Sequence, residues 1–351
     1  MYPFTTDTGI VRNRWYIAAF SHEISRDPME RTILGKPVAL YRKEDGSPVA
    51  MYGLCPHRYF PLAKGKVRGD ALVCGYHGFV FDSDGKCIEV PSQGTGAGFC
   101  QPTWPIIEKG PLCWIWMGDP DACDPAQIPP YGDFGLGEDG WHYSSENYCH
   151  LKGRSQLLID NLLDLTHLPY VHHHVGGGDS MADPKMHEED GASLYRVVRS
   201  GKVPWNPFLD HMFGKNAAFE GLADFRIVSD FYGPELIRTS MPVVTAVPGH
   251  DEVPADLGSL WILHGITPET ETTTHYFGFS VRNFRVGSEE LDEFQRQSDI
   301  KIRGQDAEAI DAVEERLEYA AANQRELLVK ADGPAVKVRR IVERMLLDEQ
   351  A

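Results

Sequence analysis

Two short segments of the chain bring together residue types that bind metals. Cys55-Pro56-His57 and Cys74-Gly75-Tyr76-His77 each supply one thiolate and one imidazole. This donor set suits either one tetrahedral zinc ion or a 2Fe-2S cluster with Cys on one iron and His on the other. Because zinc ribbons usually take their ligands from close Cys-x2-Cys pairs, the mixed pairs favour the iron–sulfur cluster, and zinc stays as the alternative.

A second pattern of metal ligands lies in residues 157–174, Leu-Leu-Ile-Asp-Asn-Leu-Leu-Asp-Leu-Thr-His-Leu-Pro-Tyr-Val-His-His-His. At about 100° per residue, a helix places Asn161, Asp164 and His167 on one polar arc beside an apolar arc. A lone His here would more often be a surface residue, but two imidazoles, His167 and His172, beside two polar side chains predict a metal site. We also expect Asp164 to hydrogen-bond His167 and to orient it.

The end of this helix brings a second imidazole to the site. Pro169 is expected to end the helix at or just before Leu168, and the following turn then returns His172 towards His167. Two imidazoles separated by a helix end can bind one metal ion from adjacent directions. Two further imidazoles are expected to be solvated, those of His173 and His174.

A metal held by two imidazoles needs a third protein ligand. A carboxylate would complete the 2-His-1-carboxylate arrangement, which leaves positions on iron for dioxygen and substrate. Asp306 is the candidate, because it lies on an apolar helical stripe that also contains Ile302, Ile310, Val313 and Leu317. A carboxylate on a core face needs a partner such as a metal. The alternatives are that Asp306 caps a helix start after Gly304, and that Asp299 is the ligand.

With these residues in place, the chain resembles the oxygenase components of Rieske non-haem iron oxygenases, most closely the vanillate O-demethylase, dicamba monooxygenase and toluenesulfonate methyl-monooxygenase group. The similarity extends from Arg12–Tyr16, through both metal patterns, to Arg282–Phe284 and the C-terminal helix. The resemblance implies cluster ligands at Cys55, His57, Cys74 and His77. It implies mononuclear iron ligands at His167, His172 and Asp306, a bridging acid at Asp164, and an Asn beside the iron at Asn161.

The resemblance also implies the reaction and the partners. A ferredoxin, a flavin reductase or both would deliver electrons to the cluster, and dioxygen would be the co-substrate. Asp164 of one chain would connect to His77 of the next in a head-to-tail homotrimer. The implied function is hydroxylation of a methoxy or methyl group of a substituted aromatic acid, that is, O-demethylation or methyl hydroxylation. The alternatives are ring hydroxylation and a Rieske electron carrier with an accessory domain.

The strand and helix pattern predicts two domains that position these ligands. Hairpins are expected at 38–41 with 49–52 and at 79–81 with 87–90, followed by a strand at 112–117. The stretch 118–140 is rich in Pro, Gly and Asp, which places a boundary between domains 1–120 and 121–351. Later strands are expected at 141–150, 223–232, 236–239, 260–266 and 273–281, with a Gly-rich loop at 176–178 over the site and helices at the end.

This order predicts an α+β fold with an antiparallel sheet around a helix. The resemblance implies an all-β Rieske domain followed by a helix-grip catalytic domain with C-terminal helices. Most residues of an aromatic-rich set are expected to belong to the core, and some could line the substrate cavity. The set is Trp205, Phe208, Phe213, Phe219, Phe225, Phe231, Trp261, His264, Phe277, Phe279 and Asn283. Arg226 or Arg238 could pair with a substrate carboxylate or sulfonate, with a surface salt bridge as the alternative role.

Composition narrows the partners and the compartment. The 351 residues have 42% hydrophobic content and a formal net charge of -17, which argues against nucleic acid or an anionic membrane as a partner. The sequence has no signal-peptide pattern at its start and no apolar run of membrane-spanning length. We therefore expect a cytoplasmic protein. Five of the seven Cys are not cluster candidates and are expected to be reduced thiols.

Overall fold

The computed structural model describes residues 9–172, 185–213, 222–240, 258–317, 319 and 326–351. They form two compact units, residues 12–128 with 267–271, and the described residues of 9–11, 129–266 and 272–351. Several features predicted above lie outside the described residues, namely His173, His174, the Gly-rich loop at 176–178 and Phe219.

The described part of the first unit consists of short antiparallel strands and turns. The strands are β1 Trp15–Phe20, β2 Met29–Ile33, β3 Lys36–Arg42, β4 Pro48–Tyr52, β5 Lys66–Arg68, β6 Ala71–Val73, β7 Val80–Phe81, β8 Cys87–Glu89, β9 Thr103–Trp104, β10 Ile106–Lys109 and β11 Leu112–Trp116. They form sheets of order β1-β11-β10, β2-β3-β4-β9 and β5-β6-β7-β8. The predicted hairpins are confirmed as β3–β4 and β7–β8.

The first unit extends further along the chain than the predicted boundary after residue 120. The indole of Trp15, on β1, donates a hydrogen bond to the backbone carbonyl of Asp124 at 2.9 Å. Asn13 Oδ1 accepts one from the backbone N–H of Asp119 at 2.7 Å. These bonds hold the Pro-rich segment against the first strand, so the division between units falls after Ile128.

The described part of the second unit contains a seven-stranded sheet of order β12-β18-β17-β16-β15-β14-β13. Its strands are β12 His142–Leu151, β13 Lys185–Glu188, β14 Tyr195–Pro204, β15 Leu222–Gly233, β16 Leu236–Ser240, β17 Leu260–Pro268 and β18 Thr274–Arg282. The helices are α1 Ser155–Leu163, α2 Leu168–Val171, α3 Pro207–Phe213, α4 Glu289–Leu317 and α5 Gly333–Asp348. Among these helices, none combines the length and the apolar character that a bilayer span requires.

The core of the second unit forms around α1. Leu158 and Leu162 of α1 are buried together with Ile237 of β16, Ile310 of α4 and Val338 of α5. Burial of these apolar side chains from four elements fixes the helices against the antiparallel sheet. A β unit followed by a sheet with C-terminal helices confirms the predicted α+β class.

The helix that carries the polar arc ends earlier than predicted. α1 ends at Leu163, a 3-10 turn spans Leu165–His167, and α2 begins at Leu168. Pro169 lies in the first turn of α2. Proline is tolerated there because the N–H groups of a first helical turn have no intrahelical partner. The prediction that Pro169 ends the helix is therefore wrong.

Asp306 lies in the middle of α4 and not at a helix start. Its side chain is buried, as is that of Ile310, whereas Val313 is 46% exposed. The predicted apolar stripe is therefore correct at Ile310 and wrong at Val313. Because α4 runs unbroken from Glu289 to Leu317, the capping role for Asp306 is excluded. A buried carboxylate in mid-helix requires a partner.

Candidate metal centres

The first cysteine loop is a tight reversal held by backbone hydrogen bonds. The N–H of Cys55 donates to the carbonyl of Phe60 at 2.9 Å, and the carbonyl of Cys55 accepts from the N–H of Tyr59 at 2.7 Å. Tyr59 has a positive φ of 53°, which closes the turn at a cost in backbone energy. His57 lies in this loop, and its side chain is exposed.

The second cysteine loop repeats this bonding pattern. The N–H of Cys74 donates to the carbonyl of Phe79 at 2.8 Å, and the carbonyl of Cys74 accepts from the N–H of Gly78 at 3.1 Å. Gly78 has φ 72°, a conformation that glycine adopts without strain. A Cβ at Gly75 would lie 2.5 Å from the carbonyl oxygen of Lys64, so only glycine fits this close approach.

The two loops place like ligands beside each other. The thiols of Cys55 and Cys74 are buried and share a hydrogen bond, and the rings of His57 and His77 lie 4.5 Å apart between centroids. Backbone N–H groups of His57 and Arg58 donate to the Cys55 sulfur. Burial raises the pKa of Cys55 to about 11, and a bound metal would be needed to hold it as a thiolate at neutral pH.

This arrangement fits two irons better than one zinc. A tetrahedral zinc with bonds of about 2.0–2.3 Å holds its donor atoms about 3–4 Å apart. Within the described residues, one group of three or more possible ligand atoms lies within 4.8 Å of one another, and it does not include Cys55, His57, Cys74 or His77. These four side chains are therefore spread too widely for one zinc ion. A thiol pair and an imidazole pair are the donors of a 2Fe-2S cluster with one iron per pair.

The group that does converge is His167, His172 and Asp306, whose ligand atoms all lie within 4.8 Å of one another. Nε2 of His167 is 3.5 Å and Nε2 of His172 is 3.0 Å from Asp306 Oδ1. The two rings meet at 78° with centroids 5.3 Å apart. The 3-10 turn and the end of α2 deliver the imidazoles, and α4 delivers the carboxylate. The three donors suit a 2-His-1-carboxylate iron site.

The outward nitrogens of both imidazoles are anchored. Nδ1 of His167 lies 2.7 Å from the backbone carbonyl oxygen of Asp164, and Nδ1 of His172 lies 3.0 Å from Gln305 Oε1. Each Nδ1–H therefore donates outward, which leaves the lone pair of Nε2 free to bind a metal. Sequence reasoning missed the anchoring role of Gln305, for which the one signal is its position next to Asp306.

Asp164 contacts His167 through its backbone and not through its side chain. Its Oδ1 accepts hydrogen bonds from Thr166 N at 2.9 Å and Thr166 Oγ1 at 2.7 Å, which caps the 3-10 turn. The expected hydrogen bond between Asp164 and His167 is therefore present, with the backbone carbonyl of Asp164 as its acceptor. With φ -116° and ψ 95°, Asp164 interrupts the helix, so it does not share one helical face with Asn161.

Asn161 and Asp299 have different relations to the triad. Asn161 Nδ2 lies 3.3 Å from Asp306 Oδ1, so it donates to the carboxylate. Asp299, the rival ligand, pairs instead with Arg303 at 3.2 Å. Burial lowers the pKa of His167. Burial also acts on His172, but the hydrogen bond and charge of Asp306 outweigh it and raise the pKa of His172.

A cavity of about 120 Å³ opens beside the triad. Its apolar lining includes Leu165, Leu168, Phe208, Leu209, Ile227 and Ile262. A dry cavity of about 150 Å³ takes benzene, so this one is of the size of a single aromatic ring. Phe208 and His264 line it as predicted, whereas Phe231 and Phe277 lie in the core.

The two arginines predicted for a substrate anion do not line this cavity. Arg226 pairs with Glu189 at 2.6 Å and is 43% exposed in its side chain. Arg238 pairs with the buried Asp230 and stacks on Trp261 at 4.1 Å. Both arginines have ion-pair partners away from the cavity. Arg226 forms the surface salt bridge of the alternative, whereas the pair of Arg238 with Asp230 is buried.

Comparison with known families matches both metal patterns. Residues 151–348 match the model of the vanillate O-demethylase oxygenase C-terminal domain. Residues 14–105 match the model of the Rieske 2Fe-2S domain. The chain belongs to the Rieske oxygenases of the vanillate O-demethylase type. This membership confirms a Rieske domain followed by a catalytic domain, and it excludes the zinc alternative.

Relatives of this Rieske oxygenase are similar over nearly their whole length. Dicamba O-demethylase, oxygenase component, from Stenotrophomonas maltophilia is 33% identical over 95% of this chain and 97% of the relative. The toluene-4-sulfonate monooxygenase system iron-sulfur subunit from Comamonas testosteroni is 34% identical over 97% of this chain and 98% of the relative. The structure of dicamba monooxygenase bound to 3,6-dichlorosalicylic acid has a TM-score of 0.85 at 31% identity, covering 97% of this chain and 99% of that chain.

These findings identify the cofactors and the enzyme class. The chain is a Rieske-type monooxygenase component that uses a 2Fe-2S cluster, a mononuclear non-haem iron and dioxygen. An enzyme of this kind needs both metal sites, so the electron-carrier alternative is excluded. In this Rieske oxygenase, the side chains described above have donor atoms that fit the 2Fe-2S cluster and the mononuclear iron.

Replacing Gln305 by Ala should weaken iron binding at the triad of this Rieske oxygenase. The substitution removes the acceptor for His172 Nδ1–H, so the ring loses its fixed orientation. Loss of such an outer partner typically lowers metal affinity about tenfold or more. Iron retention against a chelator, followed over time, measures the effect. Gln305→Glu, which keeps an acceptor at the same position, should retain iron, and equal retention by all three proteins would refute the anchoring role.

Proposed function

We propose that this Rieske oxygenase hydroxylates a methoxy or methyl group of a substituted aromatic acid. Hydroxylation of a methoxy carbon consumes one dioxygen, two electrons and two protons and gives a hemiacetal, which breaks down to a phenol and formaldehyde. The second oxygen atom leaves as water. The relatives described above are named for dicamba and toluene-4-sulfonate, and the matching family model is that of vanillate O-demethylase, so the substrate class is carried over from them.

The observation that supports this proposal is the triad of His167, His172 and Asp306 at the edge of a one-ring apolar cavity. When bound, ferrous iron supplies the dioxygen chemistry, and the cluster supplies electrons singly. The protein's part is to orient the imidazoles, to hold a ring against Phe208 and Leu209, and to keep bulk water from the reacting group.

The assembly and the electron supply belong to the same proposal. We infer that Cys55, His57, Cys74 and His77 hold the cluster and that a ferredoxin or flavin reductase reduces it. Asp164 would link the iron site of one chain to His77 of the next in a head-to-tail homotrimer. The chain has 34 basic and 51 acidic side chains. This excess of negative charge suits an electron-donor protein with a basic docking face. A cytoplasmic location fits such a donor.

Oxygen uptake by the reduced protein with a surrogate reductase tests the proposal. We expect uptake to rise with methoxybenzoates or methylbenzenesulfonates, and formaldehyde to form in an amount equal to the methoxy substrate consumed. Benzoate, which has the ring and the acid but no methyl group, is the control and should give no product. A cis-dihydrodiol as the main product would instead establish ring hydroxylation.

A further inference from the structure

Arg303 is a buried cation in the wall of the substrate cavity. It lies on α4 three residues before Asp306, so both side chains emerge on the same helix face. Its residue exposure is 1%, and it lines the cavity together with Thr239, His264 and Asp299. A charge with so little solvent requires partners for each of its donors.

The guanidinium of Arg303 has partners for two of its three nitrogens. Nε donates to Asp299 Oδ2 at 3.2 Å, and Nη1 lies 3.2 Å from His264 Nδ1. Nη2 is buried and has no hydrogen-bond partner within the described part of the chain. Gly278 on β18 provides the space, because a Cβ there would collide with the guanidinium carbon.

The neighbouring hydrogen bonds fix which groups still have a proton to donate. Because Arg303 can only donate, His264 Nδ1 must accept, as it does from Tyr276 OH at 2.6 Å. His264 Nε2 therefore carries the ring proton and donates it to Thr239 Oγ1 at 2.9 Å. The hydroxyl proton of Thr239 is left for another acceptor. Burial, reinforced by Arg303, lowers the pKa of His264 well below its usual range, so the ring stays neutral.

The positive and negative charges around the cavity also do not balance. Asp299 balances Arg303, and Asp306 offsets only one of the two charges of a divalent iron. The lining of the loaded site therefore carries a positive excess, which a single anionic substituent would neutralise. Burial raises the pKa of Asp299, although Arg303 opposes this.

We propose that Arg303 Nη2 and the Thr239 hydroxyl bind the oxyanion substituent of the aromatic substrate, such as a carboxylate or sulfonate. The inference rests on the proposed function, because it assigns the substrate of that site. It replaces the earlier candidates Arg226 and Arg238. A charge-assisted hydrogen bond in a buried site should make an acid bind about tenfold to hundredfold more tightly than its neutral amide.

Calorimetric titration of the anaerobic, iron-loaded, unreduced oxygenase tests this assignment. The probes are 2-methoxybenzoate, 4-methylbenzenesulfonate and their neutral amides. The wild type should prefer each acid. The double variant Arg303→Met, Asp299→Asn removes both charges of the pair and should lose about tenfold or more in affinity for the acids, with little change for the amides. Arg226→Met, which removes an exposed cation, should match the wild type.

A second variant leaves Arg303 in the sequence. Gly278→Ala should displace the guanidinium and reduce the preference for the acid in the same direction. If no acid binds more tightly than its amide, or if acid and amide lose affinity equally in both variants, the proposal is overturned. Failure of the proposed function is distinguishable, because acid binding through Arg303 could persist with no methyl oxidation. Conversely, if neutral aromatic substrates were turned over and the Arg303→Met, Asp299→Asn variant left their turnover rate unchanged, this inference alone would be refuted.

Discussion

Replacing Asp306 by Ala is expected to empty the mononuclear iron site while the visible absorption of the iron–sulfur cluster persists. The carboxylate oxygen of Asp306 is the point on which both imidazoles converge, at 3.0 Å from His172 and 3.5 Å from His167. The proposed cluster ligands belong to the other compact unit, so the metal content of the cluster should not change. Two imidazoles alone hold iron weakly. Loss of an outer partner of a metal ligand lowers activity by up to about 100-fold, so loss of the ligand itself should lower turnover by more than that.

Iron analysis and absorption spectra of the purified variants measure this outcome. Asp299→Asn is the matched control, because Asp299 lies on the same helix and is also buried, but it pairs with Arg303. That variant should keep three irons per chain, two in the cluster and one at the triad. If iron held at full occupancy in Asp306→Ala while Asp299→Asn emptied the site, the ligand assignment would be wrong.

The strands were predictable because their patterns are local. The segments at 38–41 and 49–52 flank the turn residues Asp45-Gly46-Ser47-Pro48, and they pair as β3 and β4. In the second unit, predicted strands such as 223–232 and 260–266 lie within β15 and β17. The boundary was less predictable, since Trp15 and Asn13 hold residues 119–124 through contacts more than a hundred positions away.

The path between α1 and α2 shows where periodicity is insufficient. Apolar residues at Leu158, Leu162 and Leu165 keep the helical spacing, so the pattern predicts one helix as far as Leu168. Asp164 breaks it, because its side chain accepts from the N–H of Thr166. An Asp that bonds the backbone two residues later competes with the helical hydrogen bonds. Periodicity of apolar positions does not report such local competition.

The metal ligands themselves could be proposed from residue type, whereas the residues around them could not. Gln305 and Arg303 are ordinary polar residues of a helix in sequence. Their roles depend on His172 and His264, which lie 133 and 39 positions away along the chain. Distant contacts of this kind are set by the packing of α4 on the sheet. Asp306 was proposed from its place on an apolar helical stripe and from the resemblance to a known family, and the fold explains why it is buried.

Replacing Asp164 by Asn should leave both metals bound and slow turnover about 100-fold, the upper end for loss of an outer-shell partner. The Asn side chain keeps an oxygen that can accept from Thr166 N and Oγ1, so the cap of the 3-10 turn persists. The backbone carbonyl that holds His167 also remains. The substitution therefore removes only the negative charge, which the proposed link to His77 of the neighbouring chain requires. Stopped-flow absorbance of cluster oxidation, with substrate and dioxygen present, measures electron transfer directly.

The matched control for Asp164→Asn is Thr166→Val, which disturbs the cap but keeps the carboxylate. If the charge carries the link, Thr166→Val should retain most of its electron-transfer rate while Asp164→Asn loses it. A loss of mononuclear iron in Asp164→Asn would instead assign Asp164 a structural role in holding His167. Near-normal coupled product formation in Asp164→Asn would remove the bridging role altogether. The two variants thus separate the backbone function of Asp164, which is set by its position in the turn, from the function of its charge.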